Sequence, residues 1–156
     1  VTPPVRRTRL VTRSAYLAGR YGRRSELQGY ARDLARIGVM VTSHWLHPTP
    51  AAIAAEEQFG IGPEHSRDIL APEFRTIVDR SNRDDLEDIE AADSLILFTD
   101  ERYARGGKHF ETGYAYALGK NLIVVGDPEL TFHFAPGIRR LETWEQVLDG
   151  IAAGRL

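Results

Sequence analysis

The sequence predicts an α/β sandwich around a mainly parallel sheet, and three observations carry that prediction. Short apolar or β-branched runs, SAYLAG, VMVTSHW, SLILFT and NLIVVG, recur along the chain. Segments whose apolar residues fall at helical spacing separate them, and strands alternating with helices mean a sheet covered on its faces. A chain of 156 residues with 42% hydrophobic residues is long enough to bury a real core as one ordinary domain.

The elements follow in order. Residues 1–13 read as a basic arm ahead of a single domain spanning 14–156. Ser14–Gly19 is a strand ending in glycine, and RYGRRSE is a polar loop. From Ser25, the residues Leu27, Tyr30, Ala31, Leu34 and Ile37 form a helical stripe that Gly38 is placed to stop. Val39–Trp45 has the β-branched content of a second strand, and this β-loop-α-β unit should be parallel and right-handed. Residues 47–83 are interrupted by Pro48, Pro50, Pro63 and Pro72; AAIAAEEQF suggests one short helix there, within an insertion over the sheet edge. From Asp84 a helix presents Leu86, Ile89 and Ala92 on one face and acids on the other, and Asp93 closes it. Ser94–Thr99 is a buried strand. His109–Gly119 is a helix expected to turn Phe110, Gly113, Tyr114, Ala117 and Leu118 to the core, and Asn121–Gly126 is the next strand. Thr143 is an N-cap candidate for a last helix reaching about Ala153.

Composition narrows the function classes. No window approaches the ~20 apolar residues of a membrane span, and there is no signal-peptide core, so the expectation is a cytoplasmic protein. Zero cysteines exclude disulfides, thiolate metal sites and a cysteine nucleophile. The net charge is −2, unevenly spread: residues 1–36 carry nine Arg against Glu26 and Asp33 (+7), and the remainder carries eleven Lys/Arg against twenty acids (−9). One basic segment on an acidic body fits a local anion site, or a solvated arm, better than a nucleic-acid polymer. The five histidines show no HxxxH or HExxH spacing, and no metal or other cofactor is expected.

Ligands of parallel sheets bind outside the carboxyl ends of the strands. The loops Gly19–Ser25, Trp45–Pro50 and Asp100–His109 meet there. Glu111 is the candidate reactive acid, read as lying in the first turn of its helix, where the macrodipole keeps a carboxylate ionised. Gly106 and Gly107 let backbone approach a ligand, and Gly113 would let the helix sit near the sheet. Asp85 and Asp88 lie one turn apart on the polar face of their helix. Either that face is simply solvated, or one of these acids approaches Glu111 and keeps its proton through burial and mutual repulsion. Gly19, Arg20, Arg23 and Arg24 at the strand-to-helix junction, with Arg105, are candidates for an anion site or are solvated arginines. Tyr21 and Trp45 are placed to stack on a base or to pack at the rim.

The combination YLAG…Y, DDLEDIEAADSLILFTD and GGKHFETGYAYALGK resembles the nucleoside 2-deoxyribosyltransferase superfamily, which includes 2'-deoxynucleoside 5'-monophosphate N-glycosidases and CMP N-glycosidases. The match covers residues 14–46 and 82–126. The resemblance implies a flavodoxin-like three-layer sandwich around a five-stranded, mainly parallel sheet. It implies that Glu111 is the nucleophile on the anomeric carbon, that Asp85 helps protonate the departing base, and that Tyr16 orients Glu111. It also implies a homodimer or higher homo-oligomer. Glycines and arginines in the first loop match the monophosphate N-glycosidases. Arg105 stands where transferases tend to have Asp and monophosphate hydrolases Ser, and so matches neither.

The expected activity is therefore cleavage of the N-glycosidic bond of a (deoxy)nucleoside 5'-monophosphate through a glycosyl-Glu intermediate. Two alternatives stand beside it: a deoxyribosyltransferase exchanging bases on free deoxynucleosides, and a non-catalytic nucleotide sensor. The expected partner is a small nucleoside or nucleotide.

Overall fold

A computed structural model of the chain describes residues 11–59, 72–100 and 106–156. Most of the basic arm and Arg105 lie outside the described residues. The elements run β1 (Ser14–Ala18), α1 (Arg24–Arg36), β2 (Met40–Val41), α2 (Pro50–Phe59), α3 (Pro72–Ala91), β3 (Ser94–Phe98), α4 (Gly107–Ala117), β4 (Asn121–Val125), β5 (Ile138–Leu141) and α5 (Trp144–Ala152). The five strands form one sheet in the order β2-β1-β3-β4-β5, and every pairing is parallel.

Alternation along the strands decides what each face of the sheet meets. Ala15, Leu17, Ile96, Phe98, Ile123 and Val125 point to α1 and α5, where they join Leu27, Leu34, Trp144 and Val147. Tyr16, Ala18, Leu95, Leu97, Leu122 and Val124 point the other way, to Ile89 of α3 and Ala115 of α4. Both faces are covered, so the central strands are apolar throughout rather than alternating with polar residues. That parity puts Tyr16 on the side of α3 and α4.

The helix boundaries have local causes. Gly38 takes φ +80° after α1, a left-handed conformation that glycine adopts without penalty. Thr143 caps α5 in a reciprocal pair with Gln146, as its sequence position predicts.

Four expectations need correction. The second strand stops at Val41, because Ser43 Oγ occupies the ladder, accepting Leu17 N–H at 2.7 Å, and the chain then turns through a short 3-10 segment, His44–Leu46. Helix α3 already runs from Pro72 among the described residues, twelve residues before Asp84. Asp93 ties down β1 rather than capping α3: its carboxylate accepts the amides of Arg13 and Ser14 at 3.0 and 3.1 Å.

Helix α4 is rotated from its expected orientation. Phe110 is 68% exposed and Leu118 44%, and Gly113 and Ala117 also face outward, whereas Lys108, Thr112 and Ala115 are buried. The cause is ionic. Lys108 Nζ, on a residue 4% exposed, donates to Phe98 O at 3.2 Å and to Asp100 and Glu129 at 2.8 Å each. Those three bonds turn the helix toward its charged residue, and a side chain added at Gly113 would meet nothing within 4 Å. Close packing of helix on sheet therefore does not depend on Gly113.

Candidate active site

A parallel sheet opens a crevice where successive strands send their connections to opposite faces. Here that point lies between β1, followed by α1, and β3, followed by α4. Tyr16 is fully buried in β1 on the α4 side, and its hydroxyl donates to Glu111 Oε1 at 3.1 Å. Burial, with the nearby charges of Glu111 and Asp85, pushes the Tyr16 phenol well above its ordinary range, so it stays a donor.

Glu111 is the fifth residue of α4 and lies beyond the first turn, where a macrodipole acts most strongly. Burial dominates there instead. Desolvation and the charge of Asp85 push Glu111 up to about 7, against the Tyr16 hydrogen bond, which pulls down. Asp85 rises to about 6 through burial and the charges of Asp88 and Asp84, again offset by a hydrogen bond from Tyr16. The repulsion between Asp85 and Glu111 is mutual, so the two carboxyls titrate as a pair and hold a shared proton above the ordinary carboxylate range. The macrodipole expectation is overturned because losing water costs a carboxylate more than a helix end returns.

The remaining candidates divide. Asp88, 4% exposed, is held by His44: Oδ2 accepts the His44 amide at 2.7 Å and Oδ1 lies 2.5 Å from Nδ1. Arg23 is tied to Glu26 at 2.7 Å, to Thr99 O at 2.8 Å and to Asp100 at 3.3 Å, so its guanidinium joins the first loop to the end of β3. Arg24 stacks on Tyr21 at 4.2 Å and hydrogen-bonds its hydroxyl. Tyr21 in turn lies 6.3 Å from the Trp45 ring, and Trp45 Nε1 donates to Leu17 O at 3.0 Å. Arg20 and Gly107 are exposed. At Gly19 an added Cβ would come within 2.8 Å of Leu27 Cδ2, so the loop hugs α1 there.

A cleft of about 480 Å³ adjoins this loop, lined by Arg24, Gln28, His47, Pro48 and Ile53. Tyr16, Asp85 and Glu111 do not line it. The structure thus brings Tyr16, Asp85 and Glu111 together and places Arg24 at a separate cleft.

Sequence reasoning passed over two parts of this rim. Lys108 lies inside the GGKHFE motif, but its burial is invisible to a hydrophobic pattern, because lysine is almost never buried without partners. His44 showed only its three-residue spacing from His47, and the two histidines serve different places. Among the described residues no group of three or more His, Asp or Glu is arranged to hold a metal ion. No helix among them is long and apolar enough to cross a membrane.

A five-stranded parallel sheet in this order, with helices on both faces, defines a flavodoxin-like α/β protein. Two solved structures share the fold. One is a 2-deoxyribosyltransferase from the psychrotolerant bacterium Bacillus psychrosaccharolyticus, with TM-score 0.57 and 20% identity over 87% of this chain and 90% of that one. The other is the CMP N-glycosidase of Clostridium botulinum, with TM-score 0.54 and 16% identity over 90% of this chain and 98% of that one. At these identities the likeness is one of fold. No family model matches the sequence, and no curated protein matches it.

Proposed function

We propose that this chain is an N-glycosidase of the nucleoside 2-deoxyribosyltransferase superfamily, acting on a (deoxy)nucleoside 5'-monophosphate. The observation that carries the reading is the contact of Tyr16 with Glu111 inside a half-buried carboxyl pair. A half-buried acid gripped by a neutral donor and facing a second acid is the equipment of a double-displacement glycosidase.

The chemistry needs one proton for the pair, on Asp85. The Tyr16 hydroxyl donates to Glu111 and so favours the ionised form that the nucleophile needs. A Glu111 oxygen then bonds to C1' as the C1'–N bond breaks, and the departing base takes the proton from Asp85. Water resolves the ester at the same carbon, giving its proton back to Asp85, so configuration is retained. Arg24, which lines the cleft, supplies positive charge for a 5'-phosphate.

Base exchange is the second reading, favoured by the fold shared with a 2-deoxyribosyltransferase. There a second base replaces water. One experiment separates the two: chromatography after incubation with a panel of nucleosides and 5'-monophosphates, with and without a free acceptor base. The proposal expects free base and sugar phosphate from a monophosphate. Exchange confined to free nucleosides would replace it with the transferase reading, and no base release from any substrate would refute both.

A further inference from the structure

The exposed imidazole of His44 is not idle in this geometry. Residues 43–46 occupy the place where β2 would have continued, and they are fastened to β1 at one residue from two sides. Ser43 Oγ accepts Leu17 N–H at 2.7 Å, and Trp45 Nε1 donates to Leu17 O at 3.0 Å. His44 is thereby held beside the strand that carries Tyr16. Its side chain is 84% exposed, yet Nδ1 meets a carboxylate that is only 6% exposed. That carboxylate, Asp88, is one turn along α3 from Asp85, and its amide contact with His44 fixes it from the other side.

We propose that His44 is a positioning residue: by gripping Asp88 it governs the proton on Asp85, the neighbouring acid on α3. The inference rests on the N-glycosidase reading for its purpose, but the coupling itself is a property of the protein alone. A bare carboxylate at 88 repels charge at 85 and favours the protonated acid. A cationic or donating imidazole on Asp88 spreads that charge and lets the proton go.

Among the described residues, the groups that act on Asp85 come from three elements and one short turn. Asp84 and Asp88 share its helix, Tyr16 comes from β1, Glu111 from α4, and His44 reaches in through Asp88. Asp88 already contributes to the raised proton affinity of Asp85 and of Tyr16. An ordinary surface histidine would have no such line to the carboxyl pair. His44 therefore tunes the general acid without touching the sugar.

The test is carbon-13 NMR titration of the Asp85 carboxyl in the full chain, for wild type, His44→Ala and Asp88→Asn. Two shifts of opposite sign are expected: to higher pH in His44→Ala, which leaves Asp88 unscreened, and to lower pH in Asp88→Asn, which removes the repelling charge. Unchanged midpoints, or shifts of the same sign, would overturn the proposal. Neither variant needs a substrate for this reading, so failure of the N-glycosidase assignment is distinguishable from failure of the dyad. With CMP or a 2'-deoxynucleoside 5'-monophosphate as probe, Asp88→Asn should also lower kcat by roughly tenfold with KM unchanged, the pattern of a lost transition-state proton. A raised KM at constant kcat would instead assign the pair to binding and overturn the proposal.

Discussion

At the scale of residues, the site is governed by the cost of partly desolvating two acids side by side. The folded protein holds the Glu111 proton more tightly than the unfolded chain does, so the unfolded state binds fewer protons between the two values. Stability therefore falls as pH rises from about 4.5, the ordinary value, toward about 7, and the penalty is complete above that. Glu111→Gln removes the charge at nearly constant shape. It should abolish base release and stabilise the protein at pH 8 by on the order of 2–3 kcal/mol, with no gain at pH 4. Thermal unfolding of both proteins at the two pH values checks this, and a loss of stability at pH 8 would contradict it. A second expectation concerns rate. The productive pair carries one proton, so kcat/KM should be bell-shaped with its maximum between about 6 and about 7. Tyr16→Phe should depress the whole profile and move its basic limb to higher pH, because Glu111 loses the donor that favours its ionised form.

Among the elements, α4 shows most clearly where sequence was enough and where it was not. The helix, its glycine start and its acid were legible, because glycine, spacing and the following strand all point one way. The face it buries was not. Phe110 and Leu118 make the better apolar stripe, yet Lys108 overrides them, since its three bonds form only when the helix turns it inward. Lys108→Met should therefore cost on the order of 3–5 kcal/mol in urea unfolding, by removing the buried cation that Asp100 and Glu129 share at 2.8 Å each. Thr143→Ala, which removes a cap that sequence located correctly, should cost only about 1 kcal/mol. Similar costs for the two would contradict the assignment of Lys108 as the residue that orients α4. The second strand failed for a related reason: Val39, Val41 and Thr42 have strand propensity, but a serine hydroxyl ended the ladder.

For the whole molecule, the fold class was readable from alternation of apolar runs with helical segments, and strand parity then placed Tyr16 opposite α3 and α4. The pairing of Tyr16, Asp85 and Glu111 was not derivable from periodicity, because it needs a sheet order that no local pattern contains; it came from resemblance. Phe110, Leu118, Phe132 and Phe134 remain exposed, more large apolar surface than a solvated helix and turn require. With the homo-oligomer that the resemblance implies, sedimentation should find a dimer or larger species, and Phe110→Asp should shift it toward monomer without unfolding. A wild-type monomer at micromolar concentration would contradict that arrangement.

The central claim is that Glu111 forms a covalent bond to the sugar, and rapid quenching with intact-protein and peptide mass spectrometry tests it most directly. During turnover of a 5'-monophosphate, wild type should gain the mass of one sugar phosphate on the peptide containing Glu111, and Glu111→Gln should gain none and release no base. Base release by the Glu111→Gln variant, or an adduct on any other residue, would contradict it.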